Sequence, residues 1–88
     1  MDDVISVPVL IRTRQKSKIV SIYSPDLHVT VHGRDYTAAY TAAQTKFGAI
    51  YFYAWERNCA YKIKKDLSEV NKLAKEPGDI PTFVQVTP

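Results

Sequence analysis

The chain has 88 residues, of which 45% are hydrophobic and 24% are charged, and its formal net charge is +3. This length allows one domain with a modest core, here residues 1–88, and the composition excludes an intrinsically disordered chain. The positive charge is spread along the sequence instead of forming a basic tail, which argues against a dedicated nucleic-acid-binding protein.

Targeting, metal and cofactor signals are missing from the sequence. Cys59 is the only cysteine, so an internal disulfide is excluded, and two histidines cannot complete a zinc site with it. The start at Met1-Asp2-Asp3 is acidic where a signal peptide needs cations. The longest apolar run, residues 49–55, is shorter than the roughly 20 residues that cross a membrane. We expect a cytoplasmic protein without membrane contact, metal or cofactor.

Three short strands come first, because β-branched residues recur at every second position in each. The predicted strands are Val4–Arg12, Lys18–Tyr23 and His28–His32. Pro8 lacks an amide donor, so we expect either that the first strand lies at a sheet edge or that it begins near Pro8. A turn at Ser24-Pro25-Asp26 separates the last two, and the short connections predict an antiparallel meander.

A long helix follows, with Asp35 as its N-cap. Apolar residues then recur at three- and four-residue spacing, which predicts one buried stripe and a helix reaching about residue 58. The stripe consists of Tyr36, Ala39, Tyr40, Ala43, Phe47, Ile50 and Ala54. The alternative is that Gly48 ends the helix and residues 49–55 form a strand, since aromatic and β-branched residues favour sheets.

A second, shorter helix capped by Asp66 is predicted next, with Leu67, Val70 and Leu73 on its apolar face. Pro77-Gly78 ends it, and Thr82–Val86 alternates as a last strand. The order β-β-β-α-(α)-β predicts an α+β fold of two layers, in which the three-strand meander and the final strand form a sheet under one long helix.

Catalytic groupings are weak. On a strand, His28 and His32 share a face but lie about 13 Å apart, which is too far to hold one metal ion. The carboxylates have local explanations as turn or cap residues, and no glycine-rich phosphate loop is present. We therefore expect a protein that is not an enzyme.

Four cations of the same parity mark the tip of the first hairpin: Arg12, Arg14, Lys16 and Lys18. They are interpreted either as a contact patch for RNA, DNA or an acidic protein, or as a solvated strand edge that resists aggregation.

The aromatic end of the long helix is the second candidate surface. Phe52 and Trp55 lie beside or opposite the predicted core stripe, so something other than the sheet must cover them. We expect a subunit or partner contact formed by Tyr51, Phe52, Tyr53 and Trp55. The alternative is that the second helix and residues 59–61 fold back over these rings.

Two short motifs carry a resemblance to a known family. Pro25-Asp26-Leu27 stands before the third strand, and Gly33-Arg34-Asp35-Tyr36 leads into a helix with Ala39 and Ala43. Together with Ile80-Pro81 before the last strand, these residues resemble the HicB-like antitoxin domain, and the likeness covers most of residues 7–86. It does not include the C-terminal DNA-binding module that many members carry.

The resemblance implies a partial ribonuclease-H-like fold without nuclease carboxylates, in a bacterial or phage cytoplasmic protein that forms homodimers or homotetramers. In that family the domain masks HicA, a small RNA-cleaving toxin. We therefore expect a non-catalytic binding protein, a HicB-like antitoxin or an orphan homologue. The alternative is a nucleic-acid-binding module that uses the basic hairpin.

Overall fold

The computed structural model describes residues 5–13, 19–56, 66–76 and 78–86, with the backbone alone at positions 55 and 56. Four strands form one antiparallel sheet in the order β3-β2-β1-β4. They are β1 (Ile5–Thr13), β2 (Val20–Ser24), β3 (Val29–Gly33) and β4 (Ile80–Val86). Two helices, α1 (Tyr36–Glu56) and α2 (Leu67–Asn71), complete the described part of the fold. The predicted α+β class, with the meander, the final strand and one main helix on the sheet, is confirmed.

The first strand is an inner strand, so the edge position predicted from Pro8 is wrong. β1 pairs with β4 from Ile5 to Ile11, but its pairing with β2 covers only Leu10 to Thr13. The backbone of Gln85 in β4 bonds away from β1, so alternate β1 residues, Pro8 among them, direct their backbone towards β2. Pro8 lies beyond the β2 pairing, where a missing N–H leaves no gap in the ladder.

The long helix runs unbroken from Tyr36 to Glu56, so residues 49–55 are helical and the strand alternative is wrong. The last two residues of the predicted helix, 57 and 58, lie outside the described residues. Its buried side chains face Val7, Val9 and Ile11 across the core. They are Ala39, Ala43, Phe47, Tyr51 and Ala54. In the part of the chain that the structure describes, no helix has the length and hydropathy to span a membrane.

Tyr36 was expected in the buried stripe but is 53% exposed. It lies in the first turn of α1, and its ring stacks on Tyr40 with the centroids 6.0 Å apart. Tyr40 is itself only half-buried, because it reaches past the sheet face to the β4 edge. The stripe therefore begins at Ala39, where a strand first lies beneath the helix.

The close approach of β3 to the first turn of α1 depends on Gly33. A Cβ atom at this position would lie 2.3 Å from the backbone nitrogen of Ala39 and 2.7 Å from its Cα. Real Cβ atoms do not approach backbone this closely, so only glycine fits. Asp35 caps the same turn: its Oδ1 accepts the Ala38 N–H at 2.7 Å, which confirms the predicted N-cap.

The turn between β2 and β3 is held by Ser24. Its hydroxyl accepts the Leu27 N–H at 3.2 Å, and its carbonyl accepts the His28 N–H at 2.8 Å. The turn delivers Leu27 into the core. His28 belongs to this turn and has a left-handed φ of 55°, so its predicted place in the third strand beside His32 is wrong.

The short helix α2 is capped by Asp66, as predicted, through a 2.9 Å bond from the Glu69 N–H to Oδ1. It lies against β1 and β4 and buries Val70 completely. Asp79 then holds the turn before β4, because its Oδ2 accepts the N–H groups of Lys75 and Glu76, each at 3.2 Å.

Gly33→Ala is expected to destabilise the fold by about 2–3 kcal/mol, because the added methyl meets the backbone of α1 instead of a movable side chain. Asp35→Ala should cost about 1 kcal/mol through loss of the cap. Thr37→Ala, at an exposed position of the same turn, is the matched control and should stay within about 0.5 kcal/mol of the wild type. The midpoints of urea unfolding measure all three, and an unchanged midpoint for Gly33→Ala contradicts the contact.

Candidate binding surfaces

The α1 helix contacts the two edges of the sheet differently. At the β4 edge, the Tyr40 hydroxyl accepts the Gln85 N–H at 3.3 Å, and the Gln44 side-chain amide donates to the Gln85 carbonyl at 3.1 Å. Both backbone groups of one strand residue point to the same side, here away from β1. The helix therefore satisfies outward-facing groups of β4 and blunts that edge against pairing with another chain.

The β3 edge is open as far as the described residues show. No strand lies beyond β3 in the described part of the chain. Its register with β2 is regular, and its sequence, Val-Thr-Val-His-Gly, has none of the lysines, prolines or bulges that protect natural edges. The Ser21 hydroxyl lies 2.9 Å from Nδ1 of His32, a close contact typical of a non-hydrogen-bonded pair. Thr30 and His32 accordingly turn their backbone groups outward.

An apolar groove of about 700 Å³ runs beside this open edge. We call it the α1–β3 groove. Val31 forms its β3 side, and α1 contributes small or aliphatic residues and one cation. These residues include Ala38, Ala42, Lys46, Ala49 and Ile50. The alanines on the flank of α1 that faces the β3 edge leave space above Val31.

The predicted aromatic surface is divided by the structure. Tyr51 is 4% exposed and belongs to the core, so its assignment to a subunit interface is wrong. Successive steps of four residues, from Ala43 through Phe47 to Tyr51, advance 40° each, so the buried stripe drifts round α1 and takes in Tyr51. Phe52 is half-buried against the core, whereas Tyr53 is 60% exposed. The Trp55 side chain lies outside the described part of the structure.

Burial raises the pKa of Tyr51 to about 12, and the negative charge of Asp26 adds to the effect. Asp26 sits in the β2–β3 turn, so this electrostatic interaction links the turn to the last quarter of α1. The fold therefore keeps the Tyr51 phenol neutral at pH values where an ordinary tyrosine is already ionised.

The basic hairpin is only partly within the described residues. Arg12 is the last residue but one of β1 and lies 3.8 Å from Asp79, measured from Nε to Oδ1, so its charge has a partner inside the chain. Arg12 is half-exposed and the carboxylate is nearly buried. Arg14, Lys16 and Lys18 lie outside the described residues, and the prediction that the four cations form one patch stays a prediction.

The motif residues of the resemblance occupy turning points of the fold. Pro25 and Leu27 are buried in the β2–β3 turn, Gly33 admits α1, and Asp35 caps it. Over the described residues, no group of three or more His, Cys, Asp or Glu side chains is placed to hold a metal ion. The sequence analysis did not find the α1–β3 groove. The sequence signal for this groove is the set of alanines at positions 38, 42 and 49, which are spaced four and seven residues apart and therefore lie on one flank of the helix.

Comparison with protein-family models, with curated proteins and with solved structures found no match to this chain.

The free energy of unfolding is expected to fall between pH 10 and pH 12. The unfolded tyrosine ionises near pH 10 whereas folded Tyr51 keeps its proton until about pH 12, so the unfolded state is favoured over that interval by at most about 2–3 kcal/mol. Tyr51→Phe removes this contribution. Urea unfolding at pH 9 and pH 12 should show a steeper loss for the wild type than for Tyr51→Phe, and parallel losses contradict the assignment.

Proposed function

We propose that this chain is a non-catalytic binding protein, a HicB-like antitoxin or orphan homologue that self-associates and sequesters an RNA-cleaving toxin. The observation that carries the proposal is the open edge of β3 beside the apolar α1–β3 groove. An unpaired strand edge offers a row of backbone donors and acceptors to another polypeptide. The groove supplies the apolar contact that such a polypeptide would bury.

The resemblance supports the proposal because the residues that carry it occupy positions required for packing in this fold. Gly33 is required where β3 meets α1, and Leu27 anchors the turn that precedes β3. A shared set of such positions favours a shared architecture, since each is demanded by packing and not by surface chemistry. The function is carried over by analogy with the family and depends on the binding surfaces described above.

Sequestration needs only binding, which suits this chain. A toxin that must contact RNA is inactivated when a protein covers its RNA-binding surface, and no bond is made or broken in the process. Tyr53 is 60% exposed, and a tyrosine side chain combines a large apolar area with a polar tip and is enriched at protein interfaces. The aromatic end of α1 is therefore the proposed contact for the toxin.

The nucleic-acid alternative has less support. Arg12 is paired with Asp79, so its use as a phosphate contact would compete with an interaction that ties β1 to the turn before β4. The ion pair is long and half-exposed and contributes at most about 1 kcal/mol. The competition is consequently modest, and the alternative depends on the cations at positions 14, 16 and 18.

The test is co-expression of the full chain with a HicA-like RNA-cleaving protein encoded beside it. We expect the two proteins to co-purify and RNA cleavage by the toxin to stop once the chain is in molar excess. Tyr53→Asp should weaken the complex by about tenfold or more, because it places a charge in a desolvated contact. Lys75→Asp, an exposed charge change near α2, is the control. Separate elution with undiminished cleavage contradicts the proposal.

A further inference from the structure

The open edge and the groove fit one occupant, which is the β3 strand of a second copy of the chain. The groove is apolar and follows an unpaired strand, so it calls for a second strand whose alternate side chains are apolar on the α1 side. β3 has this pattern: Val29 and Val31 face α1, and Thr30 and His32 face the opposite side. A second copy of the chain therefore carries the segment that the site requires.

Antiparallel pairing about a two-fold axis at Val31 is sterically self-complementary. It places Val31 against the same residue of the other copy and Val29 beside Gly33, next to the first turn of α1 that packs on this glycine. The two α1 helices then lie side by side. The alanines at 38, 42 and 49 leave room for the usual interhelical separation of about 8–10 Å.

Charge favours the antiparallel orientation. Asp26 stands in the turn before β3, and Arg34 directly follows the strand. The Asp35 carboxylate beside Arg34 is engaged in capping α1, so the side chains that the two ends of β3 can offer to a neighbour, Asp26 and Arg34, have opposite charges. Antiparallel pairing brings each Asp26 towards Arg34 of the other copy, whereas a parallel pair would juxtapose like charges. Each copy has a net charge of +3, so this local complementarity is what offsets the general repulsion between copies.

We propose that two copies of this chain pair antiparallel through their β3 edges, joining two four-stranded sheets into one and filling each α1–β3 groove with the other copy's Val29, Val31 and α1 flank. The inference rests on the self-association in the proposed function and names its surface. The arrangement is isologous, because the same residues serve on both sides. It leaves the aromatic end of α1 available for the toxin.

Sedimentation equilibrium of the full chain over a dilution series tests the proposal with two complementary variants. In Asp26→Arg both charge contacts become cationic pairs, and in Arg34→Asp both become anionic pairs. Each variant alone should dissociate at least about tenfold more readily than the wild type, since like charges in an interface are costly. An equimolar mixture of the two should form a heterodimer, because both contacts then join opposite charges.

Ala49→Glu provides a second route to the same surface, because it puts a charge into the groove at an exposed helical position that tolerates glutamate. It should also weaken the dimer, whereas Lys75→Asp should not. Far-ultraviolet circular dichroism and urea midpoints confirm that the variants are folded. The mixing experiment has its own internal control, since a misfolded variant cannot restore a dimer with its counterpart.

Failure of the β3 interface can be distinguished from failure of the self-association on which it rests. A wild type that stays monomeric throughout overturns both. A wild-type oligomer that survives Ala49→Glu and both charge changes, or that is broken by Tyr53→Asp alone, overturns the β3 surface and leaves self-association standing. Weakening by the single changes without restoration in the mixture overturns the antiparallel arrangement. Restoration in the mixture supports the proposal.

Discussion

The fold depends on the contact between Gly33 and the first turn of α1. Because glycine has no side chain, the end of β3 and the start of the helix approach within backbone distance. This fixes where α1 enters and which of its flanks lies over the sheet. With Ala39, Ala43 and Phe47 directed at the core, Tyr40 and Gln44 reach the β4 edge, and the alanine flank faces the β3 edge. The unequal edges of the sheet are a consequence of that placement.

The unequal edges connect the fold to its proposed function. A helix that covers the middle of a four-stranded sheet can satisfy an edge only where its side chains are long enough to reach it. Tyr40 and Gln44 reach the β4 backbone, whereas the flank of α1 beside β3 carries the short side chains of Ala38, Ala42 and Ala49. The same helix thus blunts one edge and leaves a groove beside the other. An exposed edge is an aggregation risk unless it is used, which is why we assign it to specific pairing.

Much of the architecture could be predicted from the sequence, and the errors have identifiable causes. The helical stripe outweighed the β-propensity of residues 49–55 because its register continues to Ala54. Pro8 was misjudged because the sequence does not show that β2 pairing stops at Leu10. Tyr51 was misjudged because steps of four residues make a buried stripe drift round the helix. The groove could not be predicted, since it depends on the position of α1 across the sheet and not on any residue's polarity.

Amide hydrogen exchange of the dilute, full-length chain, resolved by residue, tests the unequal edges most directly. The account predicts that the Gln85 amide is protected through its bond to Tyr40 and exchanges slowly. The amides of Thr30 and His32, which point away from β2, should exchange quickly although they lie in a regular strand. Fast exchange at Gln85, or protection of Thr30 and His32 equal to that of Val31, would contradict the claim that α1 closes one edge and leaves the other open.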